Sequence, residues 1–187
     1  MDSLLFELTY EELVSYFGVS RVHRSDRREA EALGFSGPTL EFLCTVGLPS
    51  TPKSELEAPG GECILRALDE MPREDWNTPK EAKNWIVFGA MPSSSLALDS
   101  VTGRVFGFYE GYGEIVSMHS DISSLAYAIY AVKKVLPEIA LCKSYEERAA
   151  IIDAVRLHIA ERDPLPFAQE DSEWGVAFDE IAMGMWT

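Results

Sequence analysis

The sequence predicts an α+β fold: a single domain in which an antiparallel sheet of about four to six strands is flanked by helices. Three observations predict it. Between residues 85 and 136, short apolar runs alternate with turns marked by Gly or Asp, and the block ends in a segment of helical periodicity. Capped helical segments stand before and after that block. Finally, 187 residues, 47% of them hydrophobic, can close one sizeable core but not two, so residues 1–187 are read as one domain.

Thr9-Tyr10-Glu11-Glu12 is a capping box in front of Leu13, Val14 and Phe17, with Gly18 as the stop, which predicts a short first helix. Residues 21–31 are rich in charge and read as a loop or a frayed helix. Pro38 stands just inside the start of a helix that runs to Val46 and ends at Gly47, because proline suits a first helical turn and glycine suits the exit. Residues 50–61, rich in Pro, Gly, Ser and Glu, form a loop. Residues 62–68 read as an edge strand in preference to a helical turn, and residues 71–84, with Pro72 and Pro79, as a polar connection.

Residues 85–90 are a continuous apolar run closed by Met91-Pro92, as in a strand buried on both faces. Residues 96–99 and 104–109 pair as a hairpin: Asp99 bonds its own backbone at the start of the turn and Gly103 supplies a positive φ at its end. Gly111 and Gly113 mark a second turn into residues 114–117, giving four strands in a meander. Ser120 or Asp121 then caps a helix whose apolar face is Ile122, Leu125, Ala126, Ile129, Val132, Val135 and Leu136, with Pro137 as its end. Ser144-Tyr145-Glu146-Glu147 opens another capped helix, striped by Ala149, Ile152, Val155 and Ile159 and stopped at Asp163-Pro164. Trp174, Ala177, Phe178 and Ile181 define a last helix closed by Gly184, with Gly175 working against it.

No apolar run approaches the ~20 residues of a membrane span, and the N-terminus carries no signal-peptide pattern. Cys44, Cys63 and Cys142 have neither disulfide-framework nor zinc-motif spacing, so a reduced, cytoplasmic protein without metal or cofactor is expected. Catalytic chemistry finds little support. His119 and Asp121 stand two residues apart at a strand-to-helix junction, but a cap aspartate spends its carboxylate on backbone N–H groups, and no nucleophile accompanies them; His119 is expected to be an ordinary loop residue. His23 lies among Arg21, Arg24, Arg27 and Arg28, diluted by Asp26, Glu29 and Glu31, and reads as a solvated charged face. His158 is expected half-exposed on its helix.

Charge is the strong compositional signal: 31 acidic against 16 basic residues give −15. Such a field argues against direct nucleic-acid binding and favours basic partners. Phe106, Phe108, Tyr109 and Tyr112 crowd one hairpin, interleaved with Glu110 and Glu114, and a strand cannot turn all of these rings to one core. Either some are exposed as an interface ringed by acids, or the sheet is covered on both faces. The candidate partner-binding residues are Tyr109, Glu110, Tyr112 and Glu114, joined by Glu173 and Asp179 from a C-terminal stretch that has no Lys or Arg after residue 165.

Several short motifs carry a resemblance: Phe17-Gly18 followed by Val22-His23-Arg24; the run from Pro38 through Leu43 into Val46-Gly47-Leu48-Pro49; Phe88-Gly89; Leu98-Asp99; Thr102-Gly103-Arg104-Val105; and Ser123-Ser124-Leu125. In this order and spacing the sequence resembles the SUKH superfamily, and within it the fourth group of immunity proteins. The resemblance implies the same α+β architecture. It also implies a cytoplasmic, non-enzymatic immunity protein that binds a cognate polymorphic toxin and blocks its active site, the toxin being basic and of nuclease or deaminase type. An intracellular adaptor or regulatory module is the alternative, and a hydrolase using His119 a third reading; the oligomeric state is left open.

Overall fold

The fold is taken from a computed structural model, which describes residues 3–50, 66–67, 80–91, 94–108 and 115–186. In helix α1 (Tyr10–Phe17) the Thr9 hydroxyl accepts from the Glu12 N–H, and the Glu12 carboxylate accepts from the Thr9 N–H at 2.8 Å, so two otherwise orphaned donors are satisfied reciprocally. Where the sequence reads as a loop or frayed helix, the helical alternative holds for α2 (Arg27–Ala32), and before it the chain makes a 3-10 turn at Val19–Arg21 and strand β1 (Val22–His23), which the sequence reading lacks. Asp26 starts α2 by accepting from the N–H groups of Arg28 and Glu29. The partner of β1 is β2 (Leu48–Pro49), which follows helix α3 (Gly37–Thr45); pairing at that separation leaves no trace in the local sequence.

The main sheet has five antiparallel strands in sequence order, β3 (Arg66–Ala67), β4 (Trp85–Ala90), β5 (Ser95–Asp99), β6 (Val105–Phe108) and β7 (Ile115–His119). The predicted meander is therefore present, with β3 as the expected edge strand; the rest of the 50–61 loop, the polar connection before residue 80, and the Gly111-to-Gly113 turn lie outside the described residues. Asp99 holds the β5–β6 turn as expected. Its Oδ1 accepts from the N–H groups of Val101 at 2.8 Å and Thr102 at 3.1 Å, and its Oδ2 from the Trp85 indole at 3.2 Å.

Helix α4 (Ile122–Ile139) is capped by Asp121, which accepts from the Ser124 N–H. It passes through Pro137, where the sequence predicts its end. Pro137 sits in the last turn and forgoes the one bond its N–H would have made to the Lys133 carbonyl, while the Ala140 N–H still bonds the Leu136 carbonyl at 2.9 Å. Helices α5 (Tyr145–Ala160) and α6 (Glu173–Ala182) follow, joined through a 3-10 turn at Leu165–Phe167. Gly175 is accommodated because its N–H bonds the capping Ser172 hydroxyl.

One face of the sheet, presenting Ile86, Phe88, Leu96, Leu98, Val105 and Met118, packs on Ile122, Leu125 and Ile129 of α4 and on Trp174, Phe178 and Ile181 of α6. The other face carries a smaller cluster of Ala82, Trp85, Val87, Ala97 and Phe108. Phe106, half-buried, stacks on Trp85 with ring centroids 4.1 Å apart. For Phe106 and Phe108 the covered sheet is therefore the correct one of the two readings; Tyr109 and Tyr112 lie outside the described residues.

Two glycines fix this arrangement. Gly103 has φ +74°, and a Cβ there would stand 2.7 Å from the Thr39 hydroxyl of α3. At Gly107 a Cβ would stand 2.6 Å from Met118 Sδ on the next strand. Gly103→Val is expected to lower stability by about 1–3 kcal/mol through the disfavoured positive φ, measured by denaturant unfolding; an unchanged midpoint would contradict this account of the turn.

Candidate functional site

His119 is not a loop residue. It ends β7, and a register shift between Val105 and Phe106 turns it into the core, where it is 0% exposed. The carboxylate beside it is Asp163, at the close of α5, with Nδ1 to Oδ2 at 3.6 Å. Asp121, the partner suggested by sequence proximity, is engaged elsewhere: it caps α4, accepts from the Ser123 hydroxyl, and accepts from the Leu5 N–H at 2.8 Å.

The hydrogen bonds around His119 run in one direction. An indole N–H can only donate, so the Trp174 Nε1 at 2.7 Å makes His119 Nε2 an acceptor and places the imidazole proton on Nδ1. Nδ1 then donates to Ser124 Oγ at 2.9 Å, and Ser124 Oγ donates to Asp163 Oδ2 at 2.6 Å. Asp163 also receives the Ser120 N–H at 2.9 Å, the Ser120 hydroxyl at 2.8 Å and the Leu165 N–H at 3.3 Å. Burial alone would raise the Asp163 carboxyl, but the neighbouring His119, the Ser124 hydroxyl and the Ser120 N–H hold it far below the usual carboxylate range. Burial lowers the His119 imidazole, against the opposing pull of Asp163 and Asp121.

Ser124, His119 and Asp163 have the composition of a hydrolase triad, but not its polarity. In a triad the serine gives its proton to the imidazole, and the other ring nitrogen faces the carboxylate. Here the imidazole donates to the serine, the serine donates to the carboxylate, and all three side chains are 0% exposed. The group is arranged to hold α4, α6 and the end of α5 against β7. Among the described residues no group of three or more His, Cys, Asp or Glu side chains is placed to hold a metal ion, and no helix is long and apolar enough to cross a membrane.

The candidate partner-binding residues fall into two sets. Tyr109, Glu110, Tyr112 and Glu114 lie outside the described residues, in the connection between β6 and β7. Glu173 and Asp179 are both on α6. Glu173 is half-buried and accepts a short hydrogen bond from the Ser94 hydroxyl; Asp179 is exposed and pairs with Arg156 at 2.7 Å. Because Ser95 pairs with Phe108, Ser94 and the Glu173 bonded to it stand at the end of the sheet that residues 109–114 also leave and re-enter. A narrow crevice lined by Gly107, Val116, Met118, Gln169, Ser172 and Glu173 marks that junction. His158 is exposed rather than half-exposed, its ring 5.5 Å from that of Tyr127. His23 bonds the Ser50 hydroxyl at 2.9 Å and belongs to the β1–β2 pairing more than to a basic patch. Cys44 and Cys142 are free thiols.

The buried network predicts acid lability of defined sign. Below the ordinary imidazole value of 6.5 the unfolded chain gains a proton at His119 that the folded chain resists, so the contribution is complete above that pH and declines as pH falls through it. Asp163 adds a loss in the same direction below its ordinary value of 3.8. The expected slope approaches about 1.4 kcal/mol per pH unit for each group. Between pH 6.5 and 5, His119→Gln, which can still accept from Trp174, is expected to show a flatter pH dependence than wild type in urea unfolding; parallel curves would mean that His119 titrates freely.

The family model for the SUKH-4 immunity protein matches residues 8–180, which include every helix and strand up to most of α6. No curated protein and no solved structure matches the chain. With nearly its whole length matched, the chain belongs to the SUKH-4 immunity protein family, and its role is that of an immunity protein whose partner is a cognate toxin.

Proposed function

We propose that this immunity protein acts in the cytoplasm, binds a polymorphic toxin that works on nucleic acid, and neutralises it by occupying the toxin's active site, without turnover of its own. What supports this reading is the net charge of −15 together with the acidic residues that flank the end of the sheet where β6 stops and β7 begins. Glu110 and Glu114 belong to the 109–114 connection, Glu173 is bonded to Ser94 at the same end, and Glu170 and Asp171 are exposed just before α6. Asp179 lies six residues further along the helix, about 9 Å at 1.5 Å per residue. Enzymes that bind nucleic acid meet phosphates with Lys and Arg, so carboxylates on a chain of net charge −15 fit such a cleft as phosphate mimics.

Charge of this kind acts on encounter more than on the lifetime of the complex. Tyr109 and Tyr112, interleaved with the acids, would supply the aromatic contacts that hold the complex once formed. The polarity of the His119 network supports a binding protein over the hydrolase reading, because it offers neither a free base nor an accessible nucleophile.

The test is the association rate with the cognate toxin, measured by stopped flow across a salt series. The rate is expected to fall steeply as ionic strength rises past ~0.15 M, where charges beyond ~8 Å are screened. Glu110→Lys with Glu114→Lys should lower the on-rate, and Tyr112→Ala should act mainly by raising the off-rate. Equal binding by wild type and the triple variant at every salt concentration would remove the 109–114 connection from the interface.

A further inference from the structure

The strands of the sheet are joined by ladders of backbone hydrogen bonds, whereas α6 meets the sheet through side chains. Trp174, Phe178 and Ile181 supply the apolar contact. Two hydrogen bonds fix its first turn: the Trp174 indole donates to His119 at the end of β7, and the Ser94 hydroxyl, just before β5, donates to Glu173. An element held in this way can open separately from the ladders it rests on. The first of these two bonds depends on the charge of its acceptor.

The His119 ring carries one proton, on Nδ1, and its Nε2 accepts from the indole at 2.7 Å. A second proton, taken from solvent, has only Nε2 to go to, and two N–H donors would then face each other across the length of one hydrogen bond. The attraction becomes a repulsion. The new charge has a counter-ion at hand, because Asp163 Oδ2 stands 3.6 Å from Nδ1. The charged groups that act on the ring are Asp163 from the end of α5 and Asp121 from the start of α4, while α6 offers the uncharged indole and β6 the apolar Val105. Both carboxylates favour the imidazolium; burial and the indole oppose it. His119 thus has two consistent arrangements, a neutral one that binds α6 and a charged one that binds Asp163.

We propose that His119 is a proton-operated latch for α6: neutral, it holds the helix through Trp174, and protonated at Nε2 it pairs with Asp163 and lets the first turn of α6 lift from the sheet. Glu173 directly precedes Trp174, so its contact with Ser94 at the end of the sheet opens in the same movement. Phe178 and Ile181, both 0% exposed, resist full departure of the helix. The open form is therefore a transient one, of the kind that hydrogen exchange detects. This inference goes beyond the immunity reading and holds whichever partner is bound.

The experiment is native-state hydrogen exchange of the full chain by NMR, from pH 7 to about 5, in a series of low urea concentrations and corrected for the intrinsic pH dependence of exchange. One proton taken up on opening raises the opening constant by about tenfold per pH unit below the ordinary imidazole value of 6.5. That rise is expected at the amides of α6 and at the Trp174 indole, through an opening that depends weakly on urea because little surface is exposed. Amides of β5 and β6 should exchange more slowly and with the steep urea dependence of global unfolding. His119→Gln, which still accepts from Trp174 but cannot take the proton, should abolish the rise at α6. If α6 and the sheet share one opening constant and one urea dependence at every pH, the proton opens only the whole fold and the latch is overturned. A rise at α6 that persists in His119→Gln would also overturn it. So would a Trp174 indole that stays protected while the α6 amides open, a result that wild type gives without any variant.

Discussion

A single buried carboxylate, Asp163, organises the polar interior of this protein. Trp174 donates to His119, His119 to Ser124, and Ser124 to Asp163, so that one proton-donating direction runs from α6 through β7 and α4 to the end of α5. Each group alone would be costly to bury, and together they leave no member without a partner. Removing one leaves its neighbours unsatisfied in a low-dielectric interior, which is why the chain depends on all four. The apolar contacts of Trp174 and Phe178 bring α6 to the sheet; the hydrogen bonds fix its register there, since apolar packing has little directionality of its own.

That division separates what the fold needs from what the function needs. Immunity is a property of the surface, and the elements that hold this fold are either internal, as in the His119 network, or local, as in the two capping boxes. The N-terminal segment is tied down in the same economical way. Leu5 N–H bonds Asp121, Phe6 N–H bonds the Ser123 hydroxyl, and Arg162 donates to the Leu5 carbonyl, so the start of α4 serves the core and the segment before α1 at once. Side chains facing outward are left free to be chosen for a partner.

What the sequence makes legible is what local chemistry determines. Thr9 with Glu12, Ser144 with Glu147, and Asp99 with Gly103 are within four residues of each other, and each turned out to do what its spacing predicts. Asp163 was legible only as a helix stop before Pro164, because its partners Ser120 and Ser124 are 43 and 39 residues away. The burial of His119 escapes the sequence for a related reason: strand alternation does not reveal the register shift that turns it inward. Pro137 marks the end of α4 to within two residues, because the helix closes at Ile139. Of the candidate site, the sequence shows the charge and the aromatic residues, but the junction of Ser94 with Glu173 exists only once α6 has packed on the sheet.

The 3-10 turn at Leu165–Phe167 lies against β7, the terminal strand of the sheet, with Pro164 before it and the buried Pro166 within it. An uncovered terminal strand would offer its backbone to any passing extended segment, with little regard for sequence. With this strand covered, a visitor on that side meets side chains instead of a row of unpaired backbone groups. Discrimination between a cognate toxin and its relatives can then be rewritten one residue at a time, on a backbone that stays the same.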